Sequence, residues 1–201
     1  MDSVPRAELD SFRSIVAARL GLQFDETKMD LLADVFRQRL QARGRISTGA
    51  YLSGLASGTK EREELRTLAS LLTVGETYFF RGSEHFRALT EVVLPERTRF
   101  RNGHRPLRIL SAGCASGDEA YSLAIVLRER FPDISPSDVR IVGVDVNPVM
   151  LARAKDAHFS SWSLRDTSAE IIEKYFHKDG KNFIPTRVFL QWSRLKRAIS
   201  P

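Results

Sequence analysis

Residues 107–130 run LRILSAGCASGDEAYSLAIVLRER: a short apolar stretch, a chain of small residues between two glycines, then apolar residues at helical spacing. This is the pattern of strand, turn and helix. A polar segment, FPDISPSDV, leads to a second apolar run, RIVGVDV, and then to PVMLARAKDAHF, a second helix with Pro148 at or near its first turn. A β-α-β-α order predicts a parallel α/β sheet. Ligand chemistry then belongs at the C-terminal ends of the strands.

The loop between the first strand and helix narrows the ligand. Its glycines, Gly113 and Gly117, lie four residues apart, which is neither G-x-G-x-x-G nor a P-loop ending in G-K-[ST]. Small residues let the backbone approach a ligand closely. Asp118 and Glu119 follow at once, where a helix N-terminus would otherwise attract a pyrophosphate. Two carboxylates there repel a diphosphate. A ligand with an adenosine-like part, a local positive charge and no phosphate fits better, and S-adenosylmethionine has all three properties. Asp145 ends the second strand, where dinucleotide folds place an acid that accepts hydrogen bonds from ribose hydroxyls. Helix-dipole stabilisation accounts equally well for Asp118. Cys114, inside the loop, reads as a small packed residue.

Residues 6–93 have a different texture. Leu9, Phe12, Val16 and Leu20 recur at helical spacing before Gly21; Met29, Leu32, Phe36 and Leu40 repeat the pattern between Asp25 and Gly44. Ser47 caps a short third helix, Glu61–Leu72 gives a fourth, and a fifth starts at Ser83 and ends before Pro95. The expected organisation is a small helical domain over 1–94, an exposed linker over 95–106, and an α/β domain over 107–201.

Charge and cysteine content exclude several classes. The net charge is +6, but Lys181, Arg187, Arg194, Lys196 and Arg197 supply five of those charges in a tail without acids. A basic nucleic-acid face spread over the fold is therefore not expected. One local patch remains on the second helix and just beyond it: Arg37, Arg39, Arg43 and Arg45, with no acid between Val35 and Lys60. A single cysteine excludes an internal disulfide and favours the cytoplasm. The four histidines have no metal-ligand spacing, so no metal site is expected. The N-terminus lacks signal-peptide character, and the apolar runs are too short to span a bilayer.

Four blocks together, LLTVGETYFFRGSEHF, LRILSAGCASGDEAYSLAIVL, IVGVDVNPVMLARAKDAHFSSWSLR and EKYF, resemble the chemoreceptor glutamate methyltransferases, the CheR family. Their order and spacing match from about residue 9 to about residue 183. The resemblance implies a helical N-terminal domain followed by a Rossmann-like S-adenosylmethionine-dependent methyltransferase domain. It also implies methyl transfer to glutamates on the cytoplasmic helices of methyl-accepting chemotaxis proteins. Thr77 and Arg81 match cofactor-contacting positions of that family, and Glu119 and Asp145 match its cofactor-holding acids; Gly113 belongs to the same loop. Where the family often has asparagine two residues before the threonine, this chain has Gly75.

The residues support this reading independently. A glutamate carboxylate is already a nucleophile and a sulfonium already a leaving group. Catalysis then needs alignment and exclusion of water more than acid–base groups, and the sequence holds no convincing Ser-His-Asp or Cys-His set. Arg81 has a second candidate role, orienting the acceptor carboxylate. Tyr78-Phe79-Phe80 reads as packing that docks the helical domain on the sheet domain. Arg37, Arg39 and Arg43 are candidates for steering an acidic receptor helix, against a solvated helix surface as the plainer reading.

The tail IPTRVFLQWSRLKRAISP does not match the family, whose pattern continues into further strands. With two clear parallel strands and RVFLQW as a third, the sheet cannot cover both faces of a doubly wound core. The C-terminal part of the sheet is expected to be missing, as in a truncated or shifted reading frame. Beside the receptor methyltransferase stand two other readings: a non-catalytic remnant that binds receptor helices, and a methyltransferase of this architecture acting on another protein.

Overall fold

The computed structural model describes residues 4–44, 46–57, 61–99, 106–133, 135–186 and 193–197. The chain divides into two compact units, Met1–Val74 and Gly75–Pro201. The boundary therefore falls after residue 74, earlier than the one expected from the sequence.

The first unit holds α1 (Arg6–Leu20), α2 (Met29–Ala42), α3 (Thr48–Ser57) and α4 (Arg62–Leu72). The periodic residues point inward as their spacing requires: Leu9, Phe12, Val16, Leu20, Leu32, Phe36, Leu55, Leu65, Leu68 and Leu72 are all buried. Phe12 stacks on Phe36 with ring centroids 4.5 Å apart. Gly21 closes α1 in the left-handed conformation that favours glycine, φ 72°. Ser47 caps α3, its hydroxyl accepting the Ala50 N–H at 3.2 Å. Asp25 caps a single 3-10 turn, Glu26–Lys28, ahead of α2.

The second unit opens with an aromatic arm, residues 75–82, and a helical run broken by a π turn. Here α5 (Ser83–Ala88) passes through Leu89–Val93 in π geometry into α6 (Leu94–Arg99). The sequence reading ended this helix before Pro95 and gave residues 95–106 to a linker, of which 100–105 lie outside the described residues. Instead the helix runs on through Pro95, and the π turn just before it accommodates the ring and the missing N–H. Strand β1 (Leu107–Ala112), α7 (Asp118–Arg130), β2 (Val139–Asp145) and α8 (Pro148–Asp156) then form the expected β-α-β-α series. β1 and β2 pair in parallel, with Ile109 beside Ile141.

The third parallel strand lies beyond RVFLQW, which falls outside the described residues. Ser193–Arg197 forms it, here β6, alongside Ile141–Asp145 on the far side of β2. Between α8 and β6 the chain makes a separate antiparallel sheet around α9 (Ala169–Tyr175). Its strands, in spatial order, are β3 (Phe159–Ser160), β5 (Asn182–Pro185) and β4 (Phe176–Asp179).

α7 is buried almost all round, because β2 covers one side and the aromatic arm covers another. Phe79 packs edge-on against Phe159 at 4.8 Å and Phe176 at 5.1 Å. The sequence reading gave the Tyr-Phe-Phe run a docking role between domains; Phe79 lies in the core of the second unit itself. On β1, Leu110 is 64% exposed, so the parallel sheet carries uncovered apolar surface there.

Candidate functional site

The tips of β1 and β2 and the start of α7 bring the loop acids together. Ser111 on β1 donates its hydroxyl to Glu119 Oε1 at 2.7 Å, which orients an otherwise exposed carboxylate. Asp145 is buried at the end of β2 and is held at both oxygens. Oδ2 accepts the Ala115 N–H at 2.8 Å and Oδ1 accepts the Asn147 N–H at 2.7 Å. Its first task is therefore mechanical: it clamps the glycine loop against the turn into α8. The Gly113 and Cys114 N–H groups add a second clamp on the Val144 carbonyl, at 2.8 and 3.0 Å.

The two glycines do different work. Gly113, at φ 75°, has nothing within 4 Å of where a side chain would begin, so the loop leaves open space there. Gly117, at φ 89°, lets the start of α7 approach α8: a Cβ there would stand 3.0 Å from the Ala154 Cβ. Gly117 is thus a packing glycine, whereas Gly113 borders open space.

Asp118 is fully buried. Ser116 donates to its Oδ2 at 2.6 Å, while Oδ1 has no hydrogen-bond partner among the described residues. Burial pushes its pKa up, opposed by the Ser116 hydrogen bond and the nearby charge of Arg165. Burial likewise pushes the Cys114 thiol up to about 12, aided by the Asp145 charge, which suits a packed residue and not a nucleophile.

The aromatic arm is fixed to this loop through α7. Phe79 N–H donates to the Ser163 carbonyl at 2.9 Å. Phe80, at φ 58°, donates its N–H to Ser122 Oγ at 3.0 Å, and Ser122 donates onward to the Asp118 carbonyl at 2.7 Å. A bulky residue in that conformation is strained, and the two backbone bonds hold it. Thr77 is half-buried at the start of the arm; Arg81, exposed at its end, donates to the Glu76 carbonyl at 2.8 Å. The structure thus gathers Thr77, Arg81, Gly113, Glu119 and Asp145 into one unit.

Sequence reasoning missed several supporting residues. Asn147 caps α8, its Oδ1 accepting the Val149 and Met150 N–H groups; an Asn-Pro pair at a helix start signals this cap. Ser111, Ser122 and Arg165 gave no local signal, because their partners lie on other elements.

The candidate receptor-facing arginines lie in the first unit; Arg45 of the same patch is outside the described residues. Arg39 makes two parallel 2.8 Å bonds to Glu64, and Arg43 and Arg37 pair with Glu61 and Asp34. Glu64 is buried and also accepts the Tyr51 hydroxyl at 2.7 Å. Nothing in the spacing of α2 and α4 foretold this pairing.

A cofactor with a cationic centre and no phosphate fits this donor set. The loop offers the exposed Glu119 carboxylate and open space beside Gly113.

Comparison with known proteins agrees. The chain is 33% identical over 168 residues to chemotaxis protein methyltransferase 2 of Vibrio cholerae, covering 82% of this chain and 57% of the relative. It is 30% identical over 165 residues to the probable biofilm formation methyltransferase WspC of Pseudomonas putida, covering 82% of this chain and 38% of that one. With the chemotaxis protein methyltransferase of Salmonella typhimurium the figures are 28% over 162 residues, 81% and 53%. The chain thus spans roughly half the length of these curated relatives. Residues 75–188, more than half of the chain, match the CheR methyltransferase SAM-binding domain, and the chain belongs to that family.

Proposed function

We propose that this chain carries the methyl-donor site of a protein-glutamate O-methyltransferase that acts on cytoplasmic chemoreceptor helices in sensory adaptation. The observation that carries the reading is the acid-lined glycine loop, with Asp145 at the end of β2 and Glu119 in the first turn of α7 held by Ser111 of β1. The family membership of residues 75–188 supports it.

In this reading Thr77, Arg81, Gly113, Glu119 and Asp145 hold the cofactor. Bound S-adenosylmethionine supplies a methyl group on a sulfonium that leaves without acid catalysis. The residues of the chain provide alignment. Asp145 fixes the loop, Ser111 orients Glu119, and Ser122 holds the strained arm that carries Thr77 and Arg81. An anionic acceptor carboxylate needs no general base, and Arg81 assists its orientation.

The arginine face of α2 meets the acidic receptor helix. Arg37 and Arg43 retain 32% and 35% of their side-chain surface and serve as the contact points. Arg39, at 16%, contributes by holding α2 to α4.

Transfer of labelled methyl from S-adenosylmethionine to receptor cytoplasmic fragments tests this. The expected product is a base-labile ester on glutamate. Base-stable label, or none, contradicts the proposal.

A further inference from the structure

The arm and the segment after β3 enclose a guanidinium that none of the roles above uses. Arg165 lies with Cζ 3.5 Å from the centroid of the Tyr78 ring and 4.3 Å from that of Trp162. One N–H is spent on the Trp162 carbonyl, at 2.7 Å. The Glu76 carboxylate stands 4.0 Å away, within ion-pair range but beyond a hydrogen bond. Among the described residues the guanidinium makes no other hydrogen bond, and the side chain is 21% exposed.

Stacking and hydrogen bonding use different parts of this group. Aromatic rings cover the faces of a guanidinium, whereas its N–H donors point outward in its own plane. Two ring contacts therefore shield the guanidinium from water and restrict its rotation, while the N–H donors not spent on Trp162 remain able to bond. Such donors match the two oxygens of a carboxylate. Rigidity is already built in, so little entropy is lost on binding.

The position is also informative. Tyr78 directly follows Thr77, and its ring carries a second, looser guanidinium, that of Arg81, at 5.8 Å. The Phe79–Ser163 backbone bond ties the Arg165 turn to the arm. Arg165 is also near enough to the loop for its charge to act on Asp118.

We propose that the in-plane edge of Arg165 is a docking point for the side-chain carboxylate of the methyl acceptor. This rests on the methyltransferase reading above and names the residue that makes the acceptor site acid-selective. Arg81, exposed and bonded to its own arm, keeps the cofactor-holding and assisting role given above. Trp162, 66% exposed beside Arg165, provides an apolar wall for the methylenes of the acceptor side chain.

The test uses the whole chain and two helical peptides that differ only in a central glutamate or glutamine. Binding is read by fluorescence anisotropy with saturating S-adenosylhomocysteine. The unaltered chain should bind the glutamate peptide about tenfold more tightly, as expected for a charge-assisted bidentate contact. Arg165→Gln should bring that ratio close to one. Arg165→Lys, which keeps the charge but loses the fork, should leave an intermediate ratio of about threefold. Calorimetry should show S-adenosylhomocysteine affinity within about twofold in both Arg165 variants.

A ratio near one in the unaltered chain overturns the proposal, as does a ratio that survives Arg165→Gln. Loss of S-adenosylhomocysteine binding in Arg165→Lys also overturns it, because the guanidinium would then serve the cofactor or the frame of the site. A chain that shows the ratio and transfers no methyl would refute the enzymatic reading and leave this inference standing.

Discussion

A Cβ built on Gly75 would lie 2.5 Å from Sδ and 2.6 Å from Cε of Met150. The thioether of α8 thus fills the space that a side chain on the arm would need. An asparagine at this position, as the family often carries, cannot be accommodated while Met150 keeps its place.

The two positions should therefore be coupled. Gly75→Asn alone should destabilise the protein by about 1 kcal/mol or less, because the clash is with a flexible thioether that can swing aside. Gly75→Asn with Met150→Ala should recover most of that loss. The double variant should also gain several-fold in S-adenosylhomocysteine affinity, equivalent to a hydrogen bond of about 1 kcal/mol. A denaturant-melt double-mutant cycle checks the first effect and calorimetry the second.

Asp145 serves two backbone N–H groups on different segments, so an asparagine cannot take over its task. An amide side chain has one oxygen, which can accept one of the two N–H groups; its nitrogen must face the other, donor against donor. Asp145→Asn should weaken S-adenosylhomocysteine binding at least tenfold and lower the unfolding midpoint. Asp145→Ala should be at least as harmful, since it leaves both N–H groups without an acceptor. Calorimetry and thermal melts of the two variants check this.

In the first unit Arg39, Tyr51 and Glu64 form a hydrogen-bonded set around a buried carboxylate. Arg39→Ala takes away both bonds of the paired guanidinium, leaving the buried carboxylate only Tyr51 and Arg43 at 4.0 Å, and should cost about 3 kcal/mol in a urea melt. Arg39→Ala with Glu64→Leu should cost much less, because the uncompensated charge is gone.

The same carboxylate gives an acid dependence. Burial alone would raise the Glu64 pKa, but bonds from Arg39 and Tyr51, with the charges of Arg39 and Arg43, bring it below its ordinary value of 4.5. A lowered pKa in the folded state favours folding fully above the ordinary value. That contribution is lost as the pH falls from about 4.5 through the folded value. Stability measured between about pH 6 and pH 3 should fall more steeply in the unaltered chain than in Glu64→Gln.

Much of this was legible in the sequence where structure is local. Spacing of apolar residues placed α1, α2, α4, β1, α7, β2 and α8, because each depends on a period its own residues set. The glycine loop and its acids were legible for the same reason. Pairings between elements were not. Arg39 meets a residue 25 positions away, Phe80 meets Ser122 across 42, and Ala115 meets Asp145 across 30. Each is fixed by packing, which leaves no periodic trace. The arm was read as an interdomain contact for this reason, and Pro95 was read as a stop because the π turn that accommodates it leaves no mark in the sequence.

The site itself is tested most directly by isothermal titration of S-adenosylhomocysteine, NAD and ATP into the intact chain and into its Glu119→Ala and Asp145→Ala variants. Saturable binding of S-adenosylhomocysteine alone, weakened by both substitutions, is the predicted result. Tight binding of NAD or ATP that depends on Glu119 and Asp145 would contradict it.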